Sequence, residues 1–245
     1  MKFIGIIPAR YASTRFPGKP LADINGKPMI QLVYEKAKTA LNNIWVATDD
    51  KRIFNAVVGF GGKVILTSPE HKSGTDRCAE AAKVVAKDID FDVVVNIQGD
   101  EPFIDAGQIK KLIKYFDKHT QIATLIKPIK VGEDLTSPNK PKVVIGLDGC
   151  ALYFSRSPIP YLRDAGPGNW VGQAVFWSHV GMYAYRADIL QEITMLEPGI
   201  LEQAEALEQL RWLENGYKIK TVRTYIDSFG IDTPEDLKNA LQRFQ

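Results

Sequence analysis

The feature that most constrains the fold is the alternation of short apolar runs with longer amphipathic stretches over the first half of the chain. The apolar runs are rich in β-branched residues and predict strands at residues 3–8, 43–50, 63–67 and 92–102. The amphipathic stretches have apolar residues at helical spacing and predict helices at residues 27–40, 51–60, 75–86 and 105–118. This order predicts a Rossmann-like α/β fold, in which helices cover both faces of a mostly parallel sheet.

From about residue 121 the pattern changes to strand-rich segments joined by pieces rich in proline and glycine. Further strands are predicted at residues 122–129, 142–147, 150–156, 179–186 and 218–225. Helical spacing returns over residues 201–216, and a last helix is predicted from Pro234. Because the sequence has no linker typical of independent domains, we expect residues 1–245 to form one domain, with a smaller strand-rich lobe within residues 121–190.

Composition excludes several classes of protein. The 31 basic and 29 acidic residues give a net charge of +2, so we expect no binding to nucleic acid, and any basic site must be local. The two cysteines, Cys78 and Cys150, have no second cysteine or histidine at metal-ligand spacing, and we interpret both as reduced thiols. The first apolar run is too short for a signal peptide, and no stretch approaches a membrane span. We therefore expect a cytoplasmic protein without membrane insertion.

Positive charge is concentrated in one early loop, within the stretch "IIPARYASTRFPGKPL" at residues 6–21. Arg10, Arg15 and Lys19 lie in it without any acidic residue, directly after the first predicted strand. Such a loop is typical of a site for a polyanion, since backbone and hydroxyl donors around Ser13 would assist three cations. It is not a P-loop, because G-x-x-x-x-G-K-[ST] is absent, and no G-x-G-x-x-G favours a dehydrogenase. The alternative interpretation is a solvated basic loop.

Two further polar segments follow predicted strands. They are "SPEHKSGTDR" at residues 68–77 and "QGDEP" at residues 98–102. Ligands of open parallel sheets bind beyond the carboxyl ends of the strands, so both segments should meet the basic loop at one edge of the sheet. Asp100, at the end of a buried strand, is a natural Mg²⁺ ligand beside phosphate groups, although an aspartate in this position is often only a turn or helix cap.

Asp232 has the same ambiguity. Asp232 or Thr233 could cap a helix that begins at Pro234, in the segment "DTPEDL". Asp100 and Asp232 are so far apart in sequence that joint metal binding does not follow from their spacing.

Eight segments occur in an order that resembles one enzyme family from end to end. They are "IIPARYASTRFPGKPL", "VATDD", "SGTDR", "NIQGDEP", "YFSRSPIPY", "HVGMYAYR", "LEQLRWL" and "DTPEDL". Together they resemble the 3-deoxy-manno-octulosonate (Kdo) cytidylyltransferases of the sugar nucleotidyltransferase group. The resemblance implies a cytoplasmic, Mg²⁺-dependent homodimer, with two metal ions, that converts CTP and Kdo to CMP-Kdo and diphosphate for lipopolysaccharide biosynthesis. It also implies that the lobe within residues 121–190 serves sugar binding and dimerisation.

The resemblance implies roles for individual residues. The implied nucleotide-binding residues are Ala9, Arg10, Ser13, Arg15, Lys19, Ser73, Gly74, Arg77 and Gln98. The implied catalytic residues are Arg15, Lys19, Asp100 and Asp232, and the two aspartates would bind the metal. The implied sugar-binding residues are Gln98, His179, Tyr183, Glu208 and Gln209. Glu208 and Gln209 are neighbours on a predicted helix and point about 100° apart, so one could orient the other rather than contact the sugar.

Other functions stay open at this point. A CMP-sialic acid synthetase would share the chemistry, but "QGDEP" and "DTPEDL" fit that family poorly, whereas 8-amino-Kdo remains an alternative substrate. A sugar-transferring enzyme of similar architecture would need a D-x-D motif after a strand, which neither "TDD" nor "GDE" provides. A non-enzymatic regulator that binds a nucleotide or a sugar acid would not need paired metal carboxylates.

Overall fold

The computed structural model describes residues 1–227 and 229–243, and it forms an α/β fold. The strands of the first half are β1 (Phe3–Ala9), β2 (Asp23–Ile24), β3 (Lys27–Pro28), β4 (Ile44–Thr48), β5 (Val64–Leu66) and β6 (Val93–Asn96). The helices of the first half are α1 (Met29–Lys38), α2 (Lys51–Gly59), α3 (Gly74–Val85) and α4 (Ala106–Tyr115). All eight elements predicted there are present, and the short β2–β3 hairpin is an addition.

The second half contains the remaining elements of the described chain. Its strands are β7 (Ile122–Pro128), β8 (Lys142–Ile145), β9 (Ala151–Ser155), β10 (Trp177–Arg186) and β11 (Ile219–Arg223). Its helices are α5 (Trp170–Gln173), α6 (Ala187–Ile193), α7 (Ile200–Glu205), α8 (Gln209–Glu214) and α9 (Pro234–Arg243). Each predicted strand is found, and α5 and α6 were not predicted.

A nine-stranded sheet joins the two halves in the order β11-β7-β10-β6-β1-β4-β5, with β8 paired to β10 and β9 paired to β8. The strands β6, β1, β4 and β5 are parallel, β7 and β11 are parallel to each other, and β10 runs antiparallel to both β6 and β7. The prediction of a mostly parallel sheet is therefore confirmed. The carboxyl ends of the first-half strands meet at one edge, which fixes where a site can form.

The central strands are apolar along their whole length because both faces of the sheet are covered. On one face Ile4 and Ile6 of β1 pack in a cluster with side chains of α3, α6 and α8. On the other face Ile7 packs in a cluster with side chains of α1, α2 and α4. Helices on both faces are thus confirmed.

The predicted helix at residues 201–216 is wrong in one respect, since the chain forms two short helices, α7 and α8, in its place. The break lies at Ala206, which has left-handed backbone angles with φ 49° and ψ 50°. Arg156 stabilises the break, since its guanidinium donates to the carbonyl of Glu205 at 2.6 Å and to that of Ala206 at 3.0 Å. Alanine favours helices, so the sequence pattern gave no sign of this interruption.

The strand-rich segment is not a separate sheet. β7 and β10 belong to the central sheet, and the β8–β9 hairpin extends from the start of β10. Trp170 and Phe176, which precede β10, form a small apolar cluster with Ile129 and Leu135. A role of residues 121–190 in sugar binding and dimerisation stays a prediction. Among the described helices, none combines the length and apolarity that crossing a membrane requires.

Candidate active site

A cleft of about 380 Å³ opens at the edge of the sheet where the carboxyl ends of β1, β5 and β6 lie. Its walls come from the basic loop, from residues 71–77, from residues 98–100 and from Asp232. All nine residues predicted to bind a nucleotide line this cleft, namely Ala9, Arg10, Ser13, Arg15, Lys19, Ser73, Gly74, Arg77 and Gln98. The three polar segments that follow predicted strands therefore converge, as expected for loops at the carboxyl ends of parallel strands.

Two glycines allow the loops to approach each other. Gly18 has φ 72°, and an added Cβ would lie 2.9 Å from the ring of Tyr11, so the turn that precedes Lys19 requires glycine. An added Cβ at Gly99 would lie 2.8 Å from the carbonyl oxygen of Pro8, so only glycine lets residues 98–100 lie against the end of β1. These contacts place Lys19 and Asp100 on facing sides of the cleft.

Lys19 lies between the two predicted metal ligands. Its Nζ is 2.8 Å from Oδ2 of Asp100 and 3.1 Å from Oδ1 of Asp232, and only 13% of its side chain is exposed. Arg15 contacts the other oxygen of Asp232 at 3.0 Å. The structure thus brings Asp100 and Asp232 to one nitrogen atom, a proximity that sequence spacing could not predict.

The two carboxylates form a small oxygen site at the floor of the cleft. Among the described residues no group of three or more His, Cys, Asp or Glu side chains could hold a metal by itself. Mg²⁺ is commonly held by one or two carboxylates together with substrate phosphates and water, so this donor set fits magnesium bound along with a nucleotide. Asp232 is half exposed, which leaves access for such a complex. The metal role of both aspartates stays a prediction.

The N-terminus of α3 forms another wall of the cleft. Ser73 caps the helix, since its Oγ accepts from the backbone N–H of Asp76 at 3.0 Å and its own N–H donates to Asp76 at 3.1 Å. A helix N-terminus attracts phosphate because its free N–H groups and dipole favour negative charge. Arg77 lines the cleft, but its guanidinium is buried and donates to Thr67 and Asp49.

The other predicted sugar-binding residues lie behind this wall rather than in the nucleotide cleft. Glu208 lines a second cleft of about 450 Å³, and its Oε2 accepts from Thr75 Oγ at 2.7 Å. The rings of His179 and Tyr183 lie 5.2 Å apart, and Nε2 of His179 lies 3.0 Å from Thr124 Oγ. Gln98 joins the two regions because its amide donates to the carbonyl of Gly181 at 2.8 Å, in the irregular part of β10.

Burial controls the charge of these groups. Burial lowers the pKa of His179 to about 4, so its imidazole is neutral at pH 7 and can donate or accept a hydrogen bond. Burial raises the pKa of Glu208, against the opposing effect of hydrogen bonds from Thr75 and Ser73. Burial, followed by the charge of Asp100, raises the pKa of Glu101 to about 7.

Four polar groups in this region are buried without a hydrogen-bond partner in the described part of the chain. They are the amide nitrogen of Gln209, the indole nitrogen of Trp212 and the hydroxyls of Tyr183 and Tyr185. The Trp212 ring meets that of Tyr183 edge-on, with 5.2 Å between the ring centres. A buried donor without a partner is costly, so such groups commonly bond to water or to a ligand. The neighbourhood of Glu208 and Gln209 therefore suits a ligand rich in hydroxyl groups.

Two residues that sequence reasoning did not single out line both clefts together with Ser73. His71 and Lys72 belong to the segment 68–77, which was expected to reach this edge of the sheet. That expected position is the signal by which both residues could have been identified from the sequence. The ring of His71 contacts the carboxylate of Glu80. The two clefts therefore adjoin each other along the loop before α3.

Comparison with known proteins agrees with this geometry. A sequence model described as Cytidylyltransferase matches residues 4–241. The chain is 58% identical to a 3-deoxy-manno-octulosonate cytidylyltransferase of Parabacteroides distasonis, over 98% of this chain and 97% of the relative, and 56% identical to one of Bacteroides thetaiotaomicron over the same shares.

A solved structure extends the likeness to three dimensions. It is a CMP:2-keto-3-deoxy-manno-octonic acid synthetase in complex with CTP, 43% identical in sequence, with a TM-score of 0.90 over 100% of this chain and 98% of the other. Sequence identity of this size over the full length indicates a common family, and not only a common fold. The chain therefore belongs to the family of 3-deoxy-manno-octulosonate cytidylyltransferases.

Proposed function

We propose that this chain transfers the cytidylyl group of CTP to 3-deoxy-D-manno-octulosonate, giving CMP-Kdo and diphosphate. The relatives of 56–58% identity carry the name of this activity, and the solved relative is in complex with CTP. The observation that carries the proposal is the meeting of Asp100 and Asp232 at Lys19, in a cleft lined by every residue predicted to bind the nucleotide.

Catalysis in this cleft would consist of positioning and charge neutralisation. A hydroxyl oxygen of the sugar attacks the α-phosphorus in line with the departing diphosphate, and the hydroxyl proton leaves as the new P–O bond forms. Arg10, Arg15 and Lys19 would neutralise the phosphate oxygens, and the N-terminus of α3 would add backbone donors. No covalent intermediate on the protein is needed.

Asp100 and Asp232 would hold Mg²⁺, as the two ions expected from the sequence. When bound, the metal supplies neutralisation of phosphate charge and a lower pKa for the attacking hydroxyl. Lys19 contacts both carboxylates, and its ammonium group would be available to the phosphate chain when these carboxylates hold the metal. Lys19 would thus pair with the carboxylates in the absence of ligand and with the phosphates of the nucleotide when it is bound.

The second cleft and the residues behind it would bind the sugar acid. Neutral His179, together with Tyr183, Gln98 and Gln209, offers donors and acceptors to hydroxyl groups, and Glu208 would accept from them. This grouping supports a polyhydroxylated ligand, and it does not by itself separate Kdo from 8-amino-Kdo or sialic acid.

A homodimer, a cytoplasmic location and a role in lipopolysaccharide biosynthesis belong to the same proposal. Several exposed apolar side chains lie within the strand-rich segment, which supports a contact surface there, namely Val131, Leu147, Leu152, Tyr161 and Val175. Both cysteines are free thiols, as expected in a reducing compartment. Light scattering of the purified protein would test the dimer, and a monomer at micromolar concentration would contradict it.

A diphosphate-release panel tests the activity and its specificity. It crosses CTP, UTP, ATP and GTP with Kdo, 8-amino-Kdo and sialic acid, with Mg²⁺ and with EDTA. We expect the highest kcat/KM for CTP with Kdo, by at least about tenfold over each other pair, and none of this activity in EDTA. Equal use of sialic acid, or no diphosphate release with any sugar acid, would contradict the proposal.

A further inference from the structure

The start of α9 holds the backbone that carries Asp232. The carboxylate of Asp236 accepts from the backbone N–H of Thr233 at 2.8 Å, from the backbone N–H of Asp232 at 3.1 Å and from the Thr233 hydroxyl at 2.8 Å. In return, the N–H of Asp236 donates to Thr233 Oγ at 3.1 Å. Thr233 and Asp236 therefore form the reciprocal cap of the helix, and the carboxylate of Asp232 remains available to Lys19 and Arg15.

A second contact fixes the same segment from the other side. The backbone N–H of Ile231 donates to the backbone carbonyl of Asp100 at 2.9 Å. This bond directly joins the two loops that carry the proposed metal ligands. Asp232 is thus fixed on its N-terminal side to the Asp100 loop and on its C-terminal side to α9.

A small apolar cluster holds these pieces together. Ile231 is fully buried in it with Met29, and side chains from the basic loop, the Asp100 loop and α9 pack against them, namely Phe16, Phe103 and Leu237. The cluster is separate from the two large clusters of the central sheet. Helix α9 therefore shares this cluster with the basic loop, the Asp100 loop and the Asp232 segment, without lining the cleft itself.

We propose that Asp236 is a positioning residue, which sets the place of Asp232 opposite Asp100 and so controls the affinity for the metal–nucleotide complex. This inference rests on the proposed function in one respect, the use of Asp100 and Asp232 as metal ligands. Groups that orient the ligands of a metal in this indirect way typically change its affinity by about 10- to 100-fold.

Three variants of α9 test the role of Asp236. Asp236→Ala removes all three accepted hydrogen bonds, Asp236→Asn keeps one acceptor oxygen, and Glu235→Ala removes the charge of an exposed neighbour on the same helix. Binding of Mn²⁺ in the presence of a non-hydrolysable CTP analogue is measured by electron paramagnetic resonance. The Mg²⁺ dependence of diphosphate release and the KM for Kdo are measured alongside.

We expect Asp236→Ala to weaken Mn²⁺ binding and to raise the half-maximal Mg²⁺ concentration by about tenfold or more, with the KM for Kdo within about twofold. Asp236→Asn keeps one acceptor oxygen but not the charge, so it should show an intermediate loss, of about threefold or more but smaller than that of Asp236→Ala, and Glu235→Ala should match the unaltered protein. Equal Mn²⁺ binding by Asp236→Ala and Glu235→Ala would overturn the inference. So would a uniform loss of metal, CTP and Kdo binding, since that is the result of a merely structural cap.

Two controls keep the test decisive. If Asp236→Ala does not fold, Asp236→Asn is compared with Glu235→Gln, and a shift in Mn²⁺ affinity below about threefold for the first would overturn the inference. Asp232→Asn is tested in the same assay. Normal Mn²⁺ binding by Asp232→Asn would contradict the metal role in the proposed function, whereas impaired Asp232→Asn with normal Asp236→Ala would contradict only the positioning role.

Discussion

The ammonium of Lys19 balances the charge of two aspartates that would otherwise repel each other. It lies within 3.1 Å of a carboxylate oxygen of both Asp100 and Asp232, in a largely buried position where the low dielectric strengthens every charge interaction. Close carboxylates without a cation disfavour their joint ionisation. The lysine thereby holds together the oxygen atoms that a divalent cation would later share.

The neutral state of His179 makes a prediction about acid stability. Its pKa is about 4 in the folded protein and near 6.5 in the unfolded chain, so between these values the unfolded state binds the extra proton. Stability should therefore fall as pH decreases from about 6.5 to about 4, by at most about 3 kcal/mol. His179→Gln should flatten this part of the curve.

Urea unfolding at pH 5 and pH 7 measures the effect of His179. Replacement of an exposed histidine, His119→Gln, is the matched control and should leave the pH dependence as it is. An unchanged slope in His179→Gln would mean that other groups cause the acid sensitivity. The His179 ring packs against Phe154, with 5.2 Å between the ring centres. This contact could not be predicted from the sequence.

The choice between Asp232 and Thr233 shows what the sequence could and could not predict about single residues. Both are good helix caps, and each fits the segment before Pro234. The structure separates them because the carboxylate of Asp236 bonds to Thr233, while the side chain of Asp232 reaches Lys19. The cap joins residues only three positions apart, whereas the contact of Asp232 with Lys19 joins residues far apart in sequence and is contained in no local pattern.

At the level of elements, the break between α7 and α8 is the main feature that the sequence pattern did not predict. The left-handed conformation of Ala206 turns the chain so that Glu208 faces Thr75 at the start of α3. Arg156 compensates by donating to the carbonyls at the end of α7, which have no helical partner. In a continuous helix, Glu208 and Gln209 would lie at other positions relative to the second cleft.

Ala206→Gly should stabilise the protein. The left-handed conformation costs an alanine about 1–2 kcal/mol, and glycine avoids this cost while losing about 0.5–1 kcal/mol through unfolded-state entropy. The expected net gain is therefore up to about 1 kcal/mol. Ala204→Gly, at an exposed position within α7, should instead destabilise by about 0.5–1 kcal/mol.

Chemical denaturation of the two glycine variants compares them under the same conditions. Opposite signs would support a strained turn that glycine relieves. The same sign for Ala206→Gly and Ala204→Gly would show that the left-handed conformation costs Ala206 less than the extra unfolded-state entropy of glycine.

At the level of the whole molecule, the alternation of apolar and amphipathic segments was sufficient to predict the sheet, its covered faces and the edge that carries the cleft. The covered strands must be apolar throughout, and parallel strands must end at one edge, so local patterns and global layout agree there. The position of β10 between β6 and β7 was not predictable, because antiparallel insertion depends on long-range pairing. Through this insertion, His179 and Tyr183 reach the region behind α3.

The convergence of distant segments on one cleft predicts that ligand binding stabilises the whole chain. CTP with Mg²⁺ should add about 2.7 kcal/mol to the free energy of unfolding at a concentration 100 times its Kd. With EDTA the gain should be smaller, because Arg10, Arg15 and Lys19 alone would then hold the triphosphate. Asp232→Asn should respond to CTP with Mg²⁺ as the unaltered protein responds to CTP with EDTA.

Thermal unfolding with a concentration series of CTP measures this coupling, and GTP at the same concentrations controls for unspecific binding of a triphosphate. If CTP stabilised the protein equally with Mg²⁺ and with EDTA, the carboxylates would not be sharing a metal with the nucleotide. Asp100 and Asp232 would then serve only to hold Lys19. If instead the gain needs both the metal and Asp232, the segment before α9 and the loops after β1 and β6 act as one binding unit.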